Sequence, residues 1–384
     1  MSRPTLPLIL PVLCGLLLAS AGVQGTTLER QSLTAYPKAV CNDGQPAALY
    51  SEGTGSSDWL IFLDGGGGCV TQEECDIRWR LTQTGLSANN MKGGAALPLR
   101  VKKEGIFDRT RSANPVKDWN FVYLYYCSSD EWIGGGGTLA SGAGVQGAPA
   151  RYVFQGANVL DAAIHFLRTT GIPNDSGGRS RLRNRADVRL LFAGTSAGGK
   201  GVMNNVLRLE AALPAVDKSY VVDAYFHGLD AGLATSDDAA ESQAKGVYAP
   251  KLSAACRGLA CLRPATVHAV FQARDLRVLY AFSERDGIIG REASGSCFGV
   301  AYPYQTDCTG APGPGAEVQK SRVQAAATPQ GQHAGWHPDA TRHSMVANGD
   351  FFYGLNGAPT IGGKRYVDAV ADLLAGTPSL SVAP

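Results

Sequence analysis

Short, uninterrupted apolar runs recur along the chain: Trp59-Leu-Ile-Phe-Leu63, Asn120-Phe-Val-Tyr-Leu-Tyr-Tyr126, Leu190-Leu-Phe-Ala193, Tyr220-Val-Val-Asp-Ala-Tyr-Phe226 and Arg277-Val-Leu-Tyr-Ala-Phe282. Each suits a buried strand and is too short for a helix. Ala47-Ala-Leu-Tyr50 is a weaker run, expected at a sheet edge. Between these runs the spacing turns helical. Residues 73–84 form one such segment, and 154–168 form another with Val159, Leu160, Ile164 and Leu167 on one face. A third follows Gly199 with Val202, Met203, Val206, Leu207 and Leu209, and the last spans 366–374. Strands alternating with helices predict an α/β fold, a doubly wound and mostly parallel sheet with helices on both faces. Residues 310–338, rich in Gly, Pro, Ala and Gln without periodicity, read as a long surface loop or lid.

In this architecture sites form in loops at the carboxyl ends of strands, and three glycine-rich loops fall there. The most informative is Gly194-Thr-Ser-Ala-Gly198, between the apolar run at 190–193 and the helical segment after Gly199. Strand, G-x-S-x-G, helix is the context of a nucleophile elbow. A serine at so sharp a turn needs small neighbours two residues away on each side, which Gly194 and Gly198 supply. Ser196 is then the candidate nucleophile, with the Ala197 N–H directed to where an oxyanion would form. The run at 59–63 ends in Asp64 and four glycines, Gly65 to Gly68, whose bare backbone can crowd a small anion. Beside a serine elbow this loop fits as the second half of an oxyanion hole. It lacks the lysine and hydroxyl residue of a phosphate-binding loop.

A serine hydroxyl needs a base, and the base needs an acid to hold its tautomer. In α/β-hydrolases the order is serine, acid, histidine. The acids downstream are Asp223, Asp230, Asp275, Glu284 and Asp286. Asp286 follows a strand and precedes Gly287, so it is chosen, with Asp230 in reserve. His333 and His337 lie in the low-periodicity stretch, whereas His343 precedes the apolar residues 345–352 and is taken as the base. His165, on the second helical segment, reads as a packed or surface residue. His333 and His337 are four apart, but the neighbouring Gly335 and Pro338 spoil the helix that would align them on a metal.

Composition narrows the setting. A net charge of +2 over 384 residues gives no nucleic-acid footprint. Arg3, the apolar stretch 6–18 and Ala19-Ser-Ala21 read as a secretory leader over residues 1–25, leaving 26–384 as a single catalytic domain. Of nine cysteines, Cys14 lies in the leader, and the remaining even set in an exported chain reads as disulfides. Proximity pairs Cys69 with Cys75, Cys256 with Cys261 and Cys297 with Cys308, which leaves Cys41 for Cys127. Asn174-Asp-Ser176 is a glycosylation sequon, relevant only in a eukaryotic host.

Several motifs together resemble the pectin acetylesterase/Notum family of α/β-hydrolases: Trp59 to Cys69, Asn114-Pro115, Trp119-Asn120, Tyr126-Cys-Ser-Ser-Asp-Glu-Trp132, Gly194 to Gly199, Asp230-Ala-Gly232, Asp286 and His343. The resemblance spans about residues 36–345. It implies a secreted or periplasmic serine carboxylesterase acting through Ser196, His343 and Asp286. Gly65, Gly66 and Ala197 would be the oxyanion donors, and no cofactor or metal is implied. The partner would be an acyl-ester substrate. Short O-acetyl esters on polysaccharide are the leading expectation, against longer acyl esters on protein or lipid. A peptidase, or a non-catalytic binding protein on a hydrolase scaffold, are the readings from other classes. The family often carries a tryptophan where this chain has Gly67 and Gly68, which implies a differently shaped acyl pocket.

Overall fold

The computed structural model describes residues 25–83, 91–225, 271, 273–283, 286, 333–336, 338, 340 and 342–377. The strands are β1 (Thr26–Ser32), β2 (Ala48–Glu52), β3 (Trp59–Leu63), β4 (Arg100–Lys103), β5 (Asn120–Leu124), β6 (Gly137–Ala140), β7 (Arg151–Phe154), β8 (Ile172–Pro173), β9 (Arg179–Ser180), β10 (Arg189–Thr195), β11 (Asp217–Asp223), β12 (Arg277–Ala281) and β13 (His333–Trp336). The α-helices are α1 (Gln72–Gln83), α2 (Gly156–Thr169), α3 (Ala197–Ala212), α4 (Gly349–Tyr353) and α5 (Tyr366–Leu374).

Among the described residues, nine strands form one sheet in the order β13-β12-β11-β10-β3-β5-β2-β1-β4. From β13 to β5 every pairing is parallel, and β2, β1 and β4 extend the sheet antiparallel. The continuous apolar runs are explained by burial on both faces. On β3, Trp59, Ile61 and Leu63 face a core shared with α2 and α3, and Leu60 and Phe62 face a second core shared with α4 and α5. The same alternation divides β5, β10 and β12 between the two cores. On the second face the Trp336 and Tyr366 rings stack at 4.9 Å.

Two expectations require correction. The run at 47–50 is no sheet edge: β2 sits between β5 and β1, because the polar segment 26–32 itself pairs as a strand. Nor is the whole of 310–338 a loop. Residues 333–336 pair in parallel with β12, and Trp336 is buried, so a four-residue strand with one large apolar anchor was enough without visible periodicity. Residues 310–332 lie outside the described residues, as does the leader apart from Gly25.

The disulfides Cys41–Cys127 and Cys69–Cys75 form as expected. The first ties the loop before β2 to the end of β5, and the second ties the glycine loop after β3 to α1. Cys256, Cys261, Cys297 and Cys308 lie outside the described residues. His165 is an exposed residue of α2 whose ring meets Tyr36 edge-on.

Candidate active site

The sheet's order places the site. From β3 the chain continues to β5 on one side, whereas β10 to β13 build out on the other, so the connections change direction between β3 and β10. Crevices at such switch points, outside the strand carboxyl ends, are where open α/β sheets bind ligands. The two segments that meet there are the glycine loop after β3 and the serine turn after β10.

Ser196 has φ 55° and ψ −123°, a strained conformation for a residue with a side chain. It is held by its N–H, which donates to the Asp223 carbonyl at 2.9 Å, and by its carbonyl, which accepts from the Lys200 N–H of α3 at 3.0 Å. The small neighbours are obligatory. A β-carbon on Gly194 would lie 2.2 Å from the Gly198 carbonyl oxygen, and one on Gly198 would lie 2.0 Å from that of Leu63. Gly65 approaches just as closely: its β-carbon would fall 2.5 Å from the Thr195 carbonyl oxygen and 2.9 Å from the Ser196 β-carbon. Ala197 opens the sixteen-residue α3, whose N-terminal dipole favours negative charge at this point.

Asp286, fully buried after β12, meets His343 Nδ1 at 2.7 Å through Oδ2. With Nδ1–H donated to a carboxylate, Nε2 carries the lone pair of the neutral ring. The loop bearing His343 is pinned on each side. Ser283 Oγ donates to the Arg342 carbonyl at 2.5 Å, the Met345 N–H donates to Asp223 Oδ2 at 3.0 Å, and the Ile106 N–H donates to the Val346 carbonyl at 3.0 Å. Ser196, Gly65, Gly66, Ala197, Asp286 and His343 therefore all lie in the segments that follow the carboxyl ends of parallel strands.

Asp64, ahead of the glycines, is pushed up from the ordinary carboxylate range by burial, opposed by Lys103, the Tyr123 hydroxyl and the Gly65 N–H. Lys103 Nζ in turn donates to the Tyr123 hydroxyl at 2.6 Å.

Three features were missed or underrated in the sequence. Asp223 is fully buried at the end of β11, and its Oδ2 accepts from Thr195 Oγ1 at 2.6 Å as well as from the Met345 N–H. Burial pushes its carboxyl up to about 6, opposed by the Thr195 hydroxyl, the Val346 and Met345 N–H groups and His343. It had been one acid among five, and only the parallel register that sets it beside Thr195 distinguishes it. The reserve acid Asp230 lies outside the described residues.

The second feature is the loop after β5. Ser129, Glu131 and Trp132 all adopt positive φ, held by the buried Asp130, which accepts from Ser128 Oγ, the Trp132 N–H and the Gly156 N–H. This strained loop aims the Trp132 indole N–H at the Asp64 carbonyl, 3.0 Å away, directly behind the glycine loop. The third is a largely buried ion pair, Lys200 Nζ to Glu131 Oε1 at 2.9 Å, which links that loop to the first turn of α3.

Comparison with known proteins bears on the family and the fold. The human palmitoleoyl-protein carboxylesterase NOTUM is 34% identical over 178 residues, which is 45% of this chain and 30% of that protein. The Xenopus laevis palmitoleoyl-protein carboxylesterase notum1' is 34% identical over 171 residues, 44% of this chain and 29% of its own length. The matched region thus spans less than a third of these relatives. Among solved structures, the Wnt deacylase Notum from Drosophila superposes with a TM-score of 0.64 over 92% of this chain and 94% of that one at 21% identity, which establishes an α/β-hydrolase-like fold. The profile described as Pectinacetylesterase matches residues 23–231, more than half of the 384 residues, and the chain belongs to the pectinacetylesterase family.

Proposed function

We propose that the chain is an exported serine carboxylesterase that hydrolyses O-acyl esters through Ser196, His343 and Asp286. The observation that carries this reading is the buried Asp286–His343 contact in the loops beyond the strands that follow a strained serine turn. A carboxylate at Nδ1 fixes the tautomer in which Nε2 is the basic nitrogen, as a base for Ser196 requires.

His343 Nε2 takes the proton of Ser196 as its Oγ attacks the acyl carbon. The tetrahedral oxyanion is met by the N–H groups of Gly65, Gly66 and Ala197, a role supported by the close packing of Gly65 on the serine turn. The imidazolium, stabilised by Asp286, returns the proton to the departing alcohol as the ester C–O bond breaks. Water then attacks the acyl-serine with His343 again as base, releasing the carboxylic acid and restoring Ser196.

Two disulfides support function in an oxidising compartment, consistent with the expected leader. No helix among the described residues is long and apolar enough to cross a membrane. The leading substrate is a short O-acyl ester, acetyl above all, on polysaccharide. The second reading, a longer acyl ester on protein, is favoured by relatives whose names specify palmitoleoyl-protein. Hydrolysis of p-nitrophenyl acetate, butyrate and octanoate by the purified protein beside Ser196→Ala tests both. Turnover abolished in the variant is expected, falling from acetate to octanoate; a rise toward octanoate would select the longer-acyl reading. Activity equal in the two proteins would overturn the esterase assignment.

A further inference from the structure

We infer that Asp223 is a positioning residue that fixes the separation of Ser196 and His343 by binding the nucleophile's strand and the histidine's loop with one carboxylate. The inference rests on the esterase reading of the same site. Three contacts carry it. The Asp223 main-chain carbonyl receives the Ser196 N–H at 2.9 Å. Its Oδ2 receives Thr195 Oγ1 at 2.6 Å and the Met345 N–H at 3.0 Å. The residue therefore grips the position before the nucleophile, the nucleophile itself and the position two after the base.

Among the described residues, the other contacts named above each hold one loop. Ser283 and Asp286 hold the histidine loop from the end of β12, and Gly65 packs on the serine from β3. Asp223 lies on β11 between these strands, paired with Thr195 on one side and Ala281 on the other. Its carbonyl also limits α3, since a β-carbon on Gly199 would come within 2.7 Å of it. The side chain is fully buried, so water cannot substitute for either bond. A joint of this kind matters because proton transfer from Ser196 to His343 needs heavy atoms about 3 Å apart, which neither loop can set alone.

The geometry separates bonding from charge. The two hydrogen bonds of normal geometry, from Thr195 Oγ1 and the Met345 N–H, go to Oδ2, while Oδ1 is buried without one, near the Tyr366 hydroxyl; the Val346 N–H also acts on this carboxylate. An asparagine can place its amide oxygen at the Oδ2 position and keep both bonds, with its NH2 toward Tyr366. An alanine keeps neither.

The test compares Asp223→Ala, Asp223→Asn and Thr195→Val with the full-length wild type by steady-state kinetics on p-nitrophenyl acetate and by hydrogen exchange of the folded proteins. Asp223→Ala is expected to lower kcat by about 100-fold with KM nearly unchanged, the scale set by a 1 Å misplacement of reacting groups. Asp223→Asn should recover most of that loss, and Thr195→Val should fall between them. In Asp223→Ala, peptides containing Ser196 and Met345 should both gain exchange, while peptides of β3 and β5 should not. Equal kcat in the alanine and asparagine variants, a loss confined to KM, or unchanged exchange at either loop would overturn the proposal. Should the wild type hydrolyse no ester, the esterase reading fails by itself, and the exchange pattern alone decides whether Asp223 joins the two loops.

Discussion

Asp130 gives a quantitative handle on the strained loop behind the site. It is fully buried, its carboxylate accepts from Ser128 Oγ at 2.6 Å, the Trp132 N–H at 3.1 Å and the Gly156 N–H at 2.7 Å, and burial pushes its carboxyl up from 3.8 to about 7. A folded value above the unfolded one means that the stabilisation is complete below pH 3.8 and is lost as pH rises through about 7. Between pH 6 and pH 8 the linkage relation gives a loss of about 1.3 kcal/mol, on the scale of 1.36 kcal/mol per unit. Asp130→Asn keeps the shape and removes the titration, at a pH-independent cost of about 1–3 kcal/mol because an NH2 must face one of the three donors. The stability of the wild type relative to the variant should therefore fall by about 1.3 kcal/mol from pH 6 to pH 8, roughly 1–2 °C in relative melting temperature for a chain of this size. Melting the two proteins side by side cancels every other titrating group. Parallel melting curves across that range would refute the argument that desolvation dominates at Asp130.

Three further outcomes follow from the same packing. Gly65→Ala drives a methyl to 2.5 Å from the Thr195 carbonyl oxygen, so esterase turnover should fall by about 100-fold or more with the fold retained by circular dichroism. Replacing Lys200 alone by Met strands the Glu131 carboxylate and should cost about 3–5 kcal/mol by denaturant titration, whereas adding Glu131→Gln should recover most of it. Serine at both Cys41 and Cys127 opens a span of 86 residues and should destabilise by about 4–5 kcal/mol, against about 2 kcal/mol for the Cys69–Cys75 pair with its separation of 6, on the loop-entropy estimate.

The parts of the site visible in the sequence are those where chemistry is local. Gly194, Ser196 and Gly198 are dictated by one crowded turn, and the close approaches around the two glycines are the same steric demand seen from the folded side. The central strands were legible because burial on both faces leaves no alternation, only runs such as 59–63. Less legible was anything decided by partners far along the chain. β1 is polar because it lies near the antiparallel edge, and β13 is a strand through pairing with β12 rather than through its own composition. Asp223 could not be separated from four other acids, since its importance comes from parallel register with β10 and from a loop about 120 residues downstream. The positive φ of Ser129, Glu131 and Trp132 likewise goes with distant partners, the Gly156 N–H on Asp130 and the packing of Trp132 on α3, which local sequence does not show.

The central claim is a nucleophilic Ser196 activated by His343. The direct measurement is covalent capture: react the protein with diethyl p-nitrophenyl phosphate, follow release of p-nitrophenol and locate the adduct by mass spectrometry of peptides. A single diethylphosphoryl group on Ser196, absent from Ser196→Ala and slowed by orders of magnitude in His343→Ala, is the expected result. No adduct, or one elsewhere that forms equally fast in both variants, would contradict the account.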